Sequence, residues 1–239
     1  MKKPLLIIIA ICFVIVLIAL AVSLRGASDK ELYNQHWNEG DKHGQEGNWD
    51  KAAESFTKAI RHYPALPGNY GSYVNRANSY SMLGKLDLAL EDYQRVLDAF
   101  PDKSVTELGE VYYNRGAAYH KNGKPELAIS DYEQAISIDT QIKSVHNKLA
   151  WLLATSPDEK IRNGKKALIH ARIACEQTGN KNPSYLDTLA AAFAETGDFA
   201  NALLTQKQAI DLETIAKNKA DLAIKLEMYE QKLPYRTKK

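Results

Sequence analysis

The chain has 239 residues, 45% of them hydrophobic and 25% charged. That is enough for one or two folded domains and too apolar for an extended disordered coil. Its 31 Lys+Arg against 29 Asp+Glu give a net charge of +2, which argues against a nucleic-acid ligand, since such a ligand calls for a basic face. Two cysteines, Cys12 and Cys175, exclude a disulfide framework and a cysteine-based zinc cluster.

The first element is an uncharged run of 20 residues from Leu5 to Leu24, with Ser23 as its polar member. As a helix it would be about 30 Å long, the depth of a bilayer's hydrocarbon core. Lys2 and Lys3 precede it, Arg25 follows it, and no acid occurs before Asp29. The expectation is a single-pass transmembrane signal-anchor over residues 1–25, in contact with the lipid bilayer from Leu5 to Leu24. It would sit in the inner membrane with its N-terminus inside and the rest of the chain extracytoplasmic, in a periplasm where there is one. The alternative is secretion after cleavage near Ala21, because Ala19 and Ala21 form an A-x-A-like triplet. Cys12 reads as one more small hydrophobe of that helix.

The alanines beyond it carry a period. Ala52, Ala89, Ala128, Ala167 and Ala202 are separated by 37, 39, 39 and 35 residues. Four positions after them stand Phe56, Tyr93, Tyr132, Ala171 and Gln206; seven after, Ala59, Val96, Ala135, Ala174 and Ala209; eight after, Ile60, Leu97, Ile136, Cys175 and Ile210. Such offsets share one face of a helix, so five helices have a common buried stripe. Another helix precedes each. Tyr80, Tyr119 and Phe193 fall nine positions before their alanine, and His43 takes that place in the first unit. Gly47, Gly84, Gly123 and Gly197 fall five before it, where a left-handed residue ends a helix. Small residues Gly40, Ala77, Gly116 and Ala190 fall twelve before, where two helices must approach closely. Pro64 and Pro101 close the second helix of the first two units, and Lys124-Pro125 starts a helix.

This succession of small, aromatic, Gly, Ala, aromatic, Ala and Pro resembles the tetratricopeptide repeat (TPR), a helix–turn–helix unit of 34 residues. The resemblance covers roughly residues 30–213 and implies an all-α, right-handed α-solenoid of about five units. The units fall at about 33–66, 70–103, 109–141, 142–181 and 183–213, within a solenoid spanning 26–213 that follows the one transmembrane helix. In the fourth unit a first helix at about 142–155 is followed by a connection at 156–164, too long for the usual tight turn; it reads as an extended surface turn, with a binding element as the alternative. The stretches 149–179 and 185–190 look like a variant pair of units found in bacterial TPR proteins. Residues 214–239 are expected to form a C-terminal capping helix with its apolar stripe at Ile215, Leu222, Leu226, Tyr229 and Leu233. Lys217, Lys219, Asp221 and Lys225 would face solvent, and a solvated basic tail would begin at Tyr235.

Catalytic patterns are missing from the sequence: no HExxH, no Gly-rich phosphate loop and no GxSxG. The six histidines, His36, His43, His62, His120, His146 and His170, form no i, i+4 pair, so no metal site is supported, and no cofactor is expected. Cys175 reads as an inert buried thiol. The chain is therefore expected not to be an enzyme.

In TPR proteins the first helix of each unit lines a concave wall. There the related strings Tyr73-Val74-Asn75-Arg76-Ala77-Asn78 and Tyr112-Tyr113-Asn114-Arg115-Gly116 place amides that can hold a peptide backbone, beside aromatic contact area. Asn75 and Asn114 serve binding or intra-repeat structure equally well. The candidate groove residues are Trp37, Asn75, Asn78, Tyr113, Asn114 and His120. The carboxylate-clamp pattern of some TPR proteins does not fit: Asn78 and Asn114 match two clamp asparagines, but Trp37 and Glu110 stand where clamp lysines belong. The expected function is a membrane-anchored, non-catalytic adaptor for a protein or peptide partner. Alternatives are a self-associating, homo-oligomeric scaffold of an envelope complex, or an accessory subunit of a membrane enzyme or a secretion or maturation system.

Overall fold

The computed structural model describes residues 3–100, 102 and 106–237, without the side chains of residues 3–13, 21, 22, 24, 25, 27 and 143. Pro101, Lys2 and the last two lysines, which enter the sequence reading, lie outside the described residues. Among the described residues the chain is all helix: α1 (Lys3–Gln45), α2 (Trp49–His62), α3 (Tyr70–Met82), α4 (Leu86–Ala99), α5 (Glu107–Lys121), α6 (Pro125–Ile138), α7 (Lys143–Thr155), α8 (Gly164–Gln177), α9 (Pro183–Glu195), α10 (Phe199–Leu212) and α11 (Ala216–Glu230). They fall into two compact units, Met1–Pro101 and Asp102–Lys239.

In the first unit α1 and α2 form one hairpin and α3 and α4 the next, with α3 packed on α2. The alanine stripe is what is buried: Ala52, Phe56 and Ala59 on α2 and Ala89, Tyr93, Val96 and Leu97 on α4 are all at most 3% exposed. Each large side chain so buried contributes about 1.5–3 kcal/mol of hydrophobic stabilisation. The small residue twelve before the alanine is dictated by the ring it faces, since a Cβ on Gly40 would lie 2.8 Å from the Phe56 ring. Gly47 and Gly84 end their helices at φ of 75° and 73°, conformations that a side chain would strain.

The second unit stacks hairpins α5–α6, α7–α8 and α9–α10 in order, and α11 covers α10. Within it the stripe continues through Ala128, Tyr132 and Ala135, then Ala167, Ala171 and Ala174, then Ala202 and Ala209, all fully buried. Side chains cap three of its helices: Asn163 accepts from the Lys166 N–H, Asn182 from Ser184, and Asp198 from Asn201. The long connection 156–164 folds onto the body. Ile161 is buried, Arg162 donates to the Ser156 carbonyl at 3.0 Å and pairs with Glu195 at 3.1 Å, and the Asn163 N–H reaches the Leu153 carbonyl at 2.9 Å.

Three expectations are corrected. The transmembrane anchor is one: among the described residues no helix is long and apolar enough to cross a membrane. Of that run, the described side chains are residues 14–20 and Ser23. Cys12 and the rest of the run lie outside the described side chains. The helix is continuous from Lys3 to Gln45, so this segment is the leading part of the first hairpin's own helix. The single-pass inner-membrane topology, the extracytoplasmic placement and the bilayer contact lose their support with it.

Lys225 is the second correction. It does not face solvent but pairs with Asp187 of α9, and its ammonium sits over the rings of Trp151 and Tyr235 at 4.8 and 5.1 Å. Ile215 and Leu233, expected in the cap's buried stripe, are instead 57% and 50% exposed, while Leu222 and Tyr229 carry the contact. The tail is the third. Tyr235 packs on Trp151, Arg236 pairs with Glu195 at 2.5 Å, and the Thr237 N–H donates to the Thr155 carbonyl at 2.9 Å. The C-terminal end of α7 has orphan carbonyls, and the tail satisfies them.

Candidate functional site

In the first unit α1, α2 and α3 enclose a cleft of about 240 Å³. Gly40, Asp41, Gly44 and Gln45 line it from α1, Trp49 and Phe56 from α2, and Asn75, Asn78 and Ser79 from α3. Asn75 and Asn78 are three residues apart on one helix and so share a face. Asn75 is half-buried, and among the described residues its amide makes no side-chain hydrogen bond. Asn78 is partly committed: its Oδ1 accepts from the Tyr93 hydroxyl at 2.5 Å, which leaves its NH2 for the cleft. The site therefore combines amide donors and an acceptor with two aromatic rings and one carboxylate.

The arginines beside these asparagines are structural. Arg76 Nε and Nη2 each donate to Asp92 at 2.7 Å, and the guanidinium lies 5.5 and 5.9 Å from the rings of Tyr73 and Tyr80. Arg115 and Asp131 repeat this at 2.8 and 2.7 Å, between Tyr112 and Tyr119. Burial works against each guanidinium's charge, but the hydrogen bonds and charge of its aspartate outweigh that, and both pKa values rise. A bidentate fork between two rings suits arginine and not lysine.

In the second unit a cleft of about 230 Å³ is lined by Ala117, His120 and Lys121 of α5, Tyr132 of α6 and Lys148 of α7. Burial, with the nearby Lys148 charge, lowers the His120 pKa and keeps the ring neutral near pH 7.

Of the six candidate residues, Asn75 and Asn78 come together in one cleft and His120 lines the other. Trp37 does not line the first cleft; its ring stands edge-on to Phe56 at 6.4 Å and packs α1 on α2. Tyr113 lies 6.1 Å from the Tyr132 ring against the core, and Asn114 is half-buried outside the lining of the second cleft. Trp49 escaped the sequence reading. It opens α2 three residues before Ala52, and the available signal was the large apolar residue that recurs at that offset as Leu86 and Phe199.

Two histidines without any local pairing in sequence also meet. His146 of α7 and His170 of α8 place their Nδ1 atoms 2.9 Å apart. No group of three or more His, Cys, Asp or Glu that could hold a metal occurs among the described residues. Burial, then Glu176, pushes the Cys175 thiol up to about 11, far from a reactive thiolate.

Helical hairpins closed by left-handed glycines, packed through an alanine stripe and leaving clefts beside their first helices, define a helical-hairpin repeat protein. Residues 71–103 and 109–140 match the family model of the tetratricopeptide repeat. No curated protein sequence matches the chain. Among solved structures, a tetratricopeptide repeat protein from Parabacteroides merdae is 19% identical with a TM-score of 0.67, the match covering 84% of this chain and 75% of that one. PilF of Pseudomonas aeruginosa is 16% identical with a TM-score of 0.66, covering 86% and 87%. YrrB, described as a TPR protein with an unusual peptide-binding site, is 16% identical with a TM-score of 0.58, covering 79% and 90%. At these identities the likeness is one of fold. The chain is thus an all-α repeat protein whose recurrent positions are packing residues.

Proposed function

We propose that the chain binds an extended peptide segment of a protein partner, with the first unit's cleft as the contact point. The observation that carries this reading is the set of Asn75 and Asn78 amides facing a cleft beside Trp49 and Phe56. An extended peptide has unpaired N–H and C=O groups, and a side-chain amide satisfies one of each. Aromatic walls add contact area at little entropic cost. Asp41 at the cleft biases it toward a segment with a positive charge. The peptide-binding site of YrrB, a protein of similar fold, supports peptide capture by such helical hairpins. Selection from a random displayed-peptide library on the full chain tests the reading. A shared motif should emerge and be lost on Asn75→Ala and Trp49→Ala, but kept on Lys58→Ala, which alters an exposed α2 side chain. Absence of a motif, or binding indifferent to position 75, would sink it.

A second reading is self-association. Val14, Ile15, Val16, Leu17, Ile18 and Leu20 of α1 are each 48–61% exposed, an apolar surface that a second copy would cover. Sedimentation of the full chain tests it, a strict monomer at all concentrations being the opposing result.

A further inference from the structure

The two internal tyrosines at the same repeat position differ in one atom's fate. Tyr93 is 1% exposed and its hydroxyl donates to Asn78. Tyr132, 39 residues later, is fully buried, and its hydroxyl has no hydrogen-bond partner among the described residues. The reason is legible in the repeat, because the residue at the place of Asn78 is Ala117. A buried hydroxyl without a partner has given up its hydration and received no hydrogen bond in exchange. The missing amide leaves space, and Ala117 and Tyr132 both line the cleft that fills it. The rest of the lining is His120, Lys121 and Lys148, with no acid among the five residues.

We propose that this cleft is a carboxylate-binding site, in which the Tyr132 hydroxyl and an imidazole N–H of His120 donate to the two oxygens and Lys148 supplies the opposing charge. Burial and then the charges of Tyr113 and Asp131 raise the Tyr132 pKa, so the phenol keeps its proton and remains a donor. A neutral imidazole offers one N–H without demanding a counter-charge of its own. Two neutral donors beside the exposed Lys148 ammonium suit a singly charged, planar anion. These residues are not the asparagine-and-lysine set of the clamp pattern that the sequence fails to fit. The proposal goes beyond the reading of the first unit's cleft and does not rest on it, because small carboxylates report on this site whether or not Asn75 binds a partner. The carboxylate belongs either to an acidic side chain or to a chain terminus.

The test is an NMR titration of the full chain with 13C-labelled histidine, the His120 resonance being assigned by its loss in His120→Gln. The probes are N-acetylglutamate α-amide for a side-chain carboxylate and N-acetylalanine for a terminal one, with sodium chloride and inorganic phosphate as comparisons at equal ionic strength. The His120 signal should move saturably with at least one carboxylate, the tighter probe naming the source. Tyr132→Phe and Lys148→Ala should each weaken that binding about tenfold or more, the loss expected for a hydrogen bond or ion pair to a charged group. Tyr132→Phe removes an unpartnered hydroxyl and should leave the unliganded fold at least as stable as before. Ala117→Asn should give Tyr132 an internal partner, raise the thermal midpoint and abolish binding. The proposal is overturned by a shift that chloride reproduces, by saturation with phosphate alone, or by carboxylate binding that Tyr132→Phe leaves unchanged.

Discussion

Arg76 and Asp92 face each other across the α3–α4 hairpin through two hydrogen bonds of 2.7 Å, with side chains only 13% and 4% exposed. The pair locks the register of the two helices, and Arg115 and Asp131 do the same for α5 and α6. Removing one partner strands a buried charge. Asp92→Ala should therefore destabilise the first unit by about 3–5 kcal/mol, and Arg76→Leu with Asp92→Leu together by much less. Urea unfolding of Arg76→Leu, Asp92→Leu and the double variant measures the coupling; a double loss equal to the sum of the two single losses would show the pair to be unimportant.

A Cβ on Gly116 would lie 2.9 Å from the Tyr132 ring and 3.1 Å from the Asp131 Cβ. Alanine favours a helix over glycine by about 1 kcal/mol, whereas overpacking costs about 1–3 kcal/mol. The steric term should win, because the ring is wedged in a fully buried stripe. Gly116→Ala is expected to lower the thermal midpoint, and a rise would refute the close approach.

His146 and His170 make the fold acid-sensitive. Burial, followed by the charges of His146 and Lys166 and partly offset by Glu133, holds the His170 pKa at about 4 against an ordinary 6.5. Between those values the unfolded chain takes up the proton first. This contribution to stability is therefore complete above about pH 6.5 and is lost as pH falls toward 4, by about 1–3 kcal/mol. His146, also lowered by burial, acts in the same direction. Urea midpoints measured from pH 7.5 to 4 should decline, and His170→Gln should flatten that decline.

Asp187 holds the capping helix. It accepts from Gln206 Nε2 at 3.0 Å and pairs with Lys225, and the same Gln206 nitrogen reaches the Leu222 carbonyl at 3.0 Å. Asp187→Ala would leave the enclosed ammonium unpaired and should cost about 3–5 kcal/mol. Hydrogen exchange should then quicken first in α11, with α5 and α6 unchanged; uniform quickening would argue against a local staple.

The legible parts of this molecule are those that a single helix encodes. The alanine period located the five stripes because burial repeats along one helical face, and four glycines marked helix ends because left-handed backbone is a local demand. Gly40 and Gly116 were readable as close approaches for the same reason. Asn75 and Asn78 could be placed on a common face by spacing alone, and the structure adds that the Tyr93 hydroxyl has already taken the Asn78 oxygen. Trp37 was readable as an aromatic but not as a packing one, since its partner Phe56 lies on the next helix.

By itself, then, the sequence determined the repeat, the helical class and the turns, all set by period and backbone chemistry within about forty residues. Only the tertiary structure decided what each polar side chain touches. Lys225 looked solvated until Asp187, 38 residues away, was brought beside it, and the tail looked free until Thr237 met Thr155, 82 residues away. The empty place before Tyr132 emerged in the same way. Periodicity states which face of a helix is covered, but the partner across that face depends on distances between helices, which no local pattern contains.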